Sequence, residues 1–344
     1  MNRRGLAIFY AACSALALLM LSEVCTAQIS GDFKGKTITI ISGFAPGGDY
    51  DLYARLVAAH MGRYLKGNPA IVVRNMTGAG GMIGANYLYE VAPHDGSVLG
   101  IVPQTVGIAQ TVGKPNVKYD VTKFNWIGRI NSNVEVQQVW RTSAVKTIGD
   151  ARTYEVTVAG TGPDSSSVVF PTLLNRMFGM KFKVVPGYEG VNMATLALER
   201  GEVESATRPW ALTKSVHPEW MKEKLVNTIV QYAVQRHHEL PDVPAVVDLA
   251  ENDVQRLILS LYASGRDIGR SIVAPPGVPQ AIIEGERVAF DATLHDPDFV
   301  RDINNSQLAT DFLSGADLQE VARKVVNISP EIVIAARAYS EPEQ

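Results

Sequence analysis

The sequence predicts an α/β fold of two units, each a mostly parallel sheet with flanking helices. Two stretches of the chain follow the same order of strand, loop, helix, strand, loop, helix. Each has a Gly-rich loop directly after its first strand. The chain has 344 residues, and at roughly 150 per domain that is length for two cores. Strands alternating with helices imply parallel pairing with right-handed crossovers.

Thr37-Ile38-Thr39-Ile40-Ile41 is β-branched and bounded by Lys36 and Ser42, the pattern of a buried strand. After the loop Gly43 to Gly48, Tyr53, Leu56, Val57, Met61 and Tyr64 recur at three- and four-residue spacing, which predicts a helix from near Asp49. A short strand over Ala70 to Val73, the turn Gly78-Ala79-Gly80-Gly81, a helix over Ile83 to Val91 and a strand over Val98 to Val102 complete the first unit. The second runs through a strand at Glu155 to Ala159, the loop Gly160 to Ser166 and a helix from Ser167 to Phe178. A strand at Phe182 to Val185, the loop Gly187 to Gly190 and a helix from Met193 to Arg200 follow, then a strand-like segment ending near Trp210. The two units repeat in architecture and not in sequence. The last third is less patterned, with a strand at Thr228 to Ala233, a stiff connection Ala274-Pro275-Pro276-Gly277-Val278-Pro279, and helices to the end.

Composition excludes several classes. Hydrophobic residues make up 46% and charged residues 19%, below the ~25% charged of an average domain, so neither disorder nor a coiled coil fits. The 32 basic and 35 acidic residues give a net charge of −3, which supplies no general attraction to nucleic acid or an anionic membrane. An anion, if bound, must be held by local geometry.

The N-terminus reads as a cleaved signal peptide over residues 1–27. Arg3 and Arg4 precede an apolar run from Gly5 to Leu21, and Cys25-Thr26-Ala27 places small residues at the −3 and −1 positions. Glu23 and Val24 spoil the context that lipidation of Cys25 needs. Cys13 and Cys25, the chain's 2 cysteines, both fall in this segment, so the mature chain is expected to hold no disulfide and no thiolate ligand. Beyond Ala27 no apolar stretch approaches the ~20 residues of a membrane span. The mature protein is expected to be soluble and periplasmic.

The sharpest candidate for ligand chemistry is Phe44-Ala45-Pro46-Gly47-Gly48-Asp49-Tyr50-Asp51, between a strand and a helix. In open parallel sheets, ligands bind beyond the carboxyl ends of strands. Glycines let the backbone approach a ligand, and the first helical turn presents N–H groups with a partial positive charge suited to a carboxylate. An ordinary tight turn capped by Asp49 or Asp51 explains the same residues as well. No Gly-Lys-Ser/Thr or Gly-x-Gly-x-x-Gly spacing is present, so neither a nucleotide-hydrolase loop nor a dinucleotide site is read. Gly160-Thr161-Gly162-Pro163-Asp164-Ser165-Ser166-Ser167 has the same placement in the second unit, with hydroxyls besides the backbone donors. Gly187-Tyr188-Glu189-Gly190 lies near it, Gln104 follows the strand ending at Val102, and Arg208 could serve as a ligand cation. The six histidines show no metal-binding spacing, and no metal or cofactor is expected.

Several motifs, in order, resemble the periplasmic receptors of tripartite tricarboxylate transporters, the Bug family of solute-binding proteins. They are Phe44-x-Pro46-Gly47-Gly48-x-x-Asp51, Val73-x-Asn75-x-x-Gly78-Ala79-Gly80-Gly81-x-x-Gly84-Ala85, Ala92-Pro93-x-Asp95-Gly96, Gly160-x-Gly162, Gly201-Glu202-Val203, Leu240-Pro241-x-Val243-Pro244 and Ala274 to Pro279. The resemblance covers residues about 35 to 335. Two departures, Pro163-Asp164 before the serines and Gly187 before Tyr188, sit where the far end of a ligand would lie.

The resemblance implies a two-lobed periplasmic binding protein of type II-like fold. One lobe would comprise residues 28–132 plus 264–344 and the other 133–263, with hinge crossings near Ile130 and Ala263. A small organic carboxylate would sit between the lobes, held at Phe44, Ala45, Gly47, Gly48, Asp49, Asp51, Gln104, Gly162, Ser165, Ser166, Tyr188 and Arg208. Closure would present a monomer to permease subunits in the membrane. Two alternatives stand beside this: a periplasmic hydrolase using Ser165 to Ser167, and a receptor serving a sensor kinase. Citrate, a dicarboxylate, an amino acid and an aromatic acid all remain open as ligands.

Overall fold

The computed structural model describes residues 32–339. The segment read as a signal peptide and both cysteines lie outside the described residues. Within them the chain builds two sheets in sequence. The first part contributes β1 (Thr37–Ser42), α1 (Asp49–Met61), β2 (Ala70–Asn75), α2 (Met82–Glu90), β3 (Val98–Val102), α3 (Val106–Thr111) and β4 (Asn125–Asn131). The middle contributes β5 (Glu135–Trp140), β6 (Val156–Gly160), α4 (Ser166–Phe178), β7 (Phe182–Pro186) and α5 (Val191–Glu199). It ends with β8 (Ser205–Pro209), α6 (Trp210–Val216), α7 (Pro218–Lys222) and β9 (Val226–Tyr232). Then come α8 (Asp253–Ala263), α9 (Gly265–Ile268), β10 (Arg270–Ala274), α10 (Gln280–Leu294), α11 (Pro297–Asn305), β11 (Leu313–Ser314), α12 (Gly315–Val326) and α13 (Pro330–Ala338).

The first sheet has the order β11-β4-β10-β3-β1-β2 and the second β7-β6-β8-β5-β9. Both are mixed. β1 runs parallel to β2 and β3, and β6 runs parallel to β7 and β8. These parallel halves are the two βα units legible in the sequence. The antiparallel halves form around strands next to the crossings: β10 between β3 and β4, and β5 between β8 and β9. β4 ends at Asn131 and β5 begins at Glu135, so three residues carry the chain from one sheet to the other. It returns through α8 and α9 into β10.

Both sheets are covered on two faces, which is why β1 and β3 of the first sheet are buried runs without simple polar alternation. Ile38, Ile40 and Ile272 pack against Tyr53 and Val57 of α1 and Ile283 and Phe290 of α10. On the opposite face Ile41, Val102 and Trp126 meet Ala85 and Leu88 of α2 and Leu318 of α12. In the second sheet Val156 and Val158 pack on Phe170 and Leu174 of α4, while Ala159 and Ala206 face Ala194 and Leu198 of α5. Ile108 of α3 and Ala336 of α13 join the core of the second sheet. Burial at ~25 cal/mol per Å² of apolar area makes these clusters the main stabilising term. Among the described residues no helix is long and apolar enough to cross a membrane.

Candidate functional site

β1 and α1 meet at a tight corner, and Asp51 organises it from inside. Its carboxylate accepts from the Gly47 N–H at 2.9 Å, from Arg55 Nε at 2.7 Å and from Asn75 Nδ2 at 2.8 Å. Asn75 also donates to the Phe44 carbonyl. Burial opposes ionisation of Asp51, but these donors outweigh it and hold its carboxyl below the usual range.

Asp49, the first residue of α1, faces the other way, into a buried ionic cluster. Arg270, at the head of β10 and 1% exposed, donates through Nε to Asp49 Oδ2 at 2.6 Å and through Nη1 to Gln104 Oε1 at 2.7 Å. Its guanidinium lies 4.1 Å from the centre of the Tyr50 ring, and that ring stacks on Phe44 at 4.3 Å. The Gln104 N–H donates to the Tyr50 hydroxyl. Glu135, the first residue of β5, brings Oε1 within 3.7 Å of Arg270 Nη2. Burial works against the Arg270 charge, yet Asp49, Tyr50 and Glu135 outweigh it and raise its pKa. Burial also raises the Glu135 pKa, partly offset by Arg270 and by Ser166.

One cleft between the sheets gathers these groups. Its wall includes Gly48, Asp49 and Tyr50 at the start of α1, Ser165, Ser166 and Ser167 at the start of α4, and Gly190, Val191 and Asn192 at the start of α5. Three helices of 13, 13 and 9 residues thus begin at one cavity. First-turn N–H groups have no partner inside their own helix and carry the positive end of its dipole. Their convergence makes a site for an anion without a free side-chain cation. The serine hydroxyls are engaged locally: Ser165 Oγ donates to the Gly162 carbonyl at 2.7 Å, and Ser167 Oγ accepts the Thr161 N–H at 2.9 Å.

The two lobes touch around this cleft. Asn192 Nδ2 donates to the Gly47 carbonyl at 2.8 Å, and Thr105 Oγ1 donates to the Asp164 carbonyl at 3.1 Å. Lys114 Nζ lies 3.9 Å from Asp164 Oδ1. Below them the Gly78 to Gly81 turn and the Gly162 loop meet backbone to backbone. Gly80 has φ +63°, and a Cβ there would stand 2.5 Å from the Ser165 nitrogen, so only glycine fits.

Of the residues singled out in the sequence, Phe44, Ala45, Gly48, Asp49, Gln104, Ser165 and Ser166 line the cleft. Gly162 and Tyr188 line an adjoining cavity that shares Phe44, Ala45 and Gly190 with it. Gly47 and Asp51 stand behind the wall, bonded to each other. Arg208 lines neither cavity. It is buried under β8, where its guanidinium lies 4.6 Å from the Trp220 ring and Nη1 donates to Thr195 Oγ1. Burial lowers its pKa to about 10. Strand alternation sends its side chain to the helix-covered face, away from Thr207, which lines the cleft. Tyr50 lay in the loop singled out from the sequence without a role of its own, and Glu135, Asn192 and Arg270 escaped the sequence reading. Arg270 and Asp49 are 221 positions apart, and no local pattern links them. Among the described residues no group of three metal-binding side chains could hold an ion.

A family model described as the tripartite tricarboxylate transporter family receptor matches residues 53–337. Curated relatives include a UPF0065 protein of Agrobacterium vitis, 29% identical over 298 residues, covering 82% of this chain and 79% of that one. Another, from Cupriavidus necator, is 25% identical and covers 97% of both chains. Among solved structures the periplasmic binding protein BugD matches with a TM-score of 0.68 at 20% identity, over 88% of this chain and 97% of that one. MatC of Rhodopseudomonas palustris with bound malate matches at 0.66 and 21% identity, over 89% and 99%. A second R. palustris protein, with adipate, matches at 0.67 and 19% identity, over 88% and 97%. The structural likenesses establish the two-lobed fold, and the family match over most of the sequence establishes kinship: the chain belongs to the tripartite tricarboxylate transporter receptor family.

Proposed function

We propose that this protein is a periplasmic receptor that captures a small organic carboxylate and presents it to the permease of a tripartite tricarboxylate-type transporter. The observation that carries this reading is the meeting of three helix N-termini at one cleft between two lobes. The carboxylate would rest on the main-chain amides that open α4 and α5, with Asp49 and Tyr50 closing from α1. Bound malate and adipate in two neighbours of like fold support the ligand class. A few hydrogen bonds to a charged acceptor, about 1.5–3 kcal/mol each, support micromolar binding of about −8 kcal/mol. In this reading the segment 1–27 directs export, the receptor works as a monomer, and the hinge lies at the crossings near Ile130 and Ala263.

A thermal-shift screen of the mature protein against a panel of carboxylates, followed by calorimetry, tests it. A cleft ligand at about 100 times its Kd should add ~2.7 kcal/mol of stability, a rise of several degrees in Tm. No shift with any carboxylate, or turnover of a ligand during calorimetry, would overturn the receptor reading.

A further inference from the structure

A second polar cavity, of about 560 Å³, lies at the crossings and shares no lining residue with the cleft. The first lobe contributes Arg266 of α9 and Asp311 of the loop before β11. The second contributes Lys214 of α6 and the loop Gln235 to Glu239 after β9, and Asn133 stands in the crossing itself. The carboxylates of this wall are already answered. Glu239 accepts from Lys214 Nζ at 2.7 and 2.6 Å and from Trp210 Nε1 at 2.6 Å, and Asp311 accepts from Arg129 Nη2 at 3.0 Å. Arg236 is held by Asp248 at 2.8 Å. Two donors are not answered. Asn133 is 3% exposed, and its Nδ2 has no hydrogen-bond partner among the described residues. Arg266 Nε is buried and likewise without one. An unpaired buried donor is costly, and a charged one more so. His237, its ring 4.3 Å from that of His238, feels the excess of positive charge. Burial, then His238, and further Arg266 and Lys214, lower its pKa against the pull of Glu239.

We propose that this cavity binds a small tetrahedral oxyanion, inorganic phosphate or sulfate, against Arg266 and Asn133, with Lys214 and the histidine pair facing it from the second lobe. Its donors come from four separate segments of chain. Four oxygens spread in space can use donors from several sides, where the two coplanar oxygens of a carboxylate serve fewer. Both lobes supply groups, so the ion bridges them beside the hinge. The site is independent of the carboxylate reading of the cleft.

Calorimetry on the mature protein with inorganic phosphate and with sulfate, at ionic strength held constant with chloride, tests this. Saturable binding of one or both is expected at a Kd of about 1 mM or below. R266Q should weaken it about tenfold or more, and N133A, which removes only the second donor, about threefold or more. Selenate soaked into crystals and located by its anomalous signal should lie within hydrogen-bond distance of Arg266 and on the Asn133 side of the cavity. No saturable binding of either ion, or unchanged affinity in both variants, would overturn the inference. Selenate found only at the helix N-termini of the cleft would do the same. Each of these results leaves the carboxylate receptor standing, since the cleft is tested by its own screen.

Discussion

At the scale of single residues, the cleft depends on pairs of charges that neutralise each other out of reach of water. Arg270 is the hub, since Asp49, Gln104, Glu135 and the Tyr50 ring all converge on it. Removing one partner of such a pair leaves the others buried and uncompensated, which typically costs 3–5 kcal/mol. We expect Arg270→Met to destabilise by about that amount in urea unfolding. A loss below ~1 kcal/mol would mean that the cluster is solvated in the native state.

Glu286, on α10, offers a pH-dependent contrast. Its side chain is fully buried, and neither carboxyl oxygen has a hydrogen-bond partner. Burial, and secondarily Asp95, raise its pKa well above the ordinary glutamate value. A group with a raised folded-state pKa contributes its full stability below the unfolded pKa. That contribution is lost as the pH rises from there through the raised value. Glu286→Met should therefore stabilise the protein by about 1–3 kcal/mol at neutral pH. The gain should shrink toward acid pH. Equal gains at pH values on both sides of the ordinary carboxylate range would contradict this.

At the scale of elements, the parallel halves of both sheets were legible because they obey simple periodicity. Thr37 to Ile41 and Val98 to Val102 are apolar runs, and the helices they feed show regular spacing. β4 and β5 were not legible, for a physical reason. β5 reads Glu-Val-Gln-Gln-Val-Trp, yet its glutamines are fully buried. Gln137 donates to Ser205 Oγ at 2.6 Å and accepts from Thr207 and Tyr232, so a closed hydrogen-bond network replaces apolar packing. A strand of this kind leaves no alternation to read. The same strand supplies Glu135, which is why the inner end of the cleft went unseen. The loops around Gly47 and Gly162 were legible because tight corners need glycine, but Arg208 shows the limit: sequence placed it near the cleft, and its strand turns it to the opposite face.

The backbone contact between the turn at Gly80 and the loop at Gly162 belongs to this scale too. Ala at Gly80 would place a Cβ 2.5 Å from the Ser165 nitrogen. We expect Gly80→Ala to force the two corners apart and weaken ligand binding about tenfold or more, at about 1.4 kcal/mol per tenfold. Each lobe would keep its core, so far-UV circular dichroism should stay unchanged. Unaltered affinity in calorimetry would show that this contact plays no part in holding the cleft shut.

At the scale of the whole molecule, the design is two covered sheets joined by a three-residue crossing and a helical return, with the proposed binding groups on loops at their facing edges. The lobes are held across the cleft by few bonds, among them Asn192 to Gly47 and Thr105 to Asp164. A hydrogen bond contributes about 0.5–1.5 kcal/mol net, so a ligand that touches both lobes supplies a comparable bias toward closure. Packing of α3 and α13 into the core of the second sheet ties the lobes together beside the crossings. The most direct measurement is a crystal structure with an acid that passes the thermal-shift screen. We expect the carboxylate oxygens to lie within about 3 Å of main-chain nitrogens at the starts of α4 and α5, with both lobes in contact with the ligand. An acid seated outside this cleft, for instance among Lys214, Arg236 and His237 in the cavity on the other side of the crossings, would contradict the central claim.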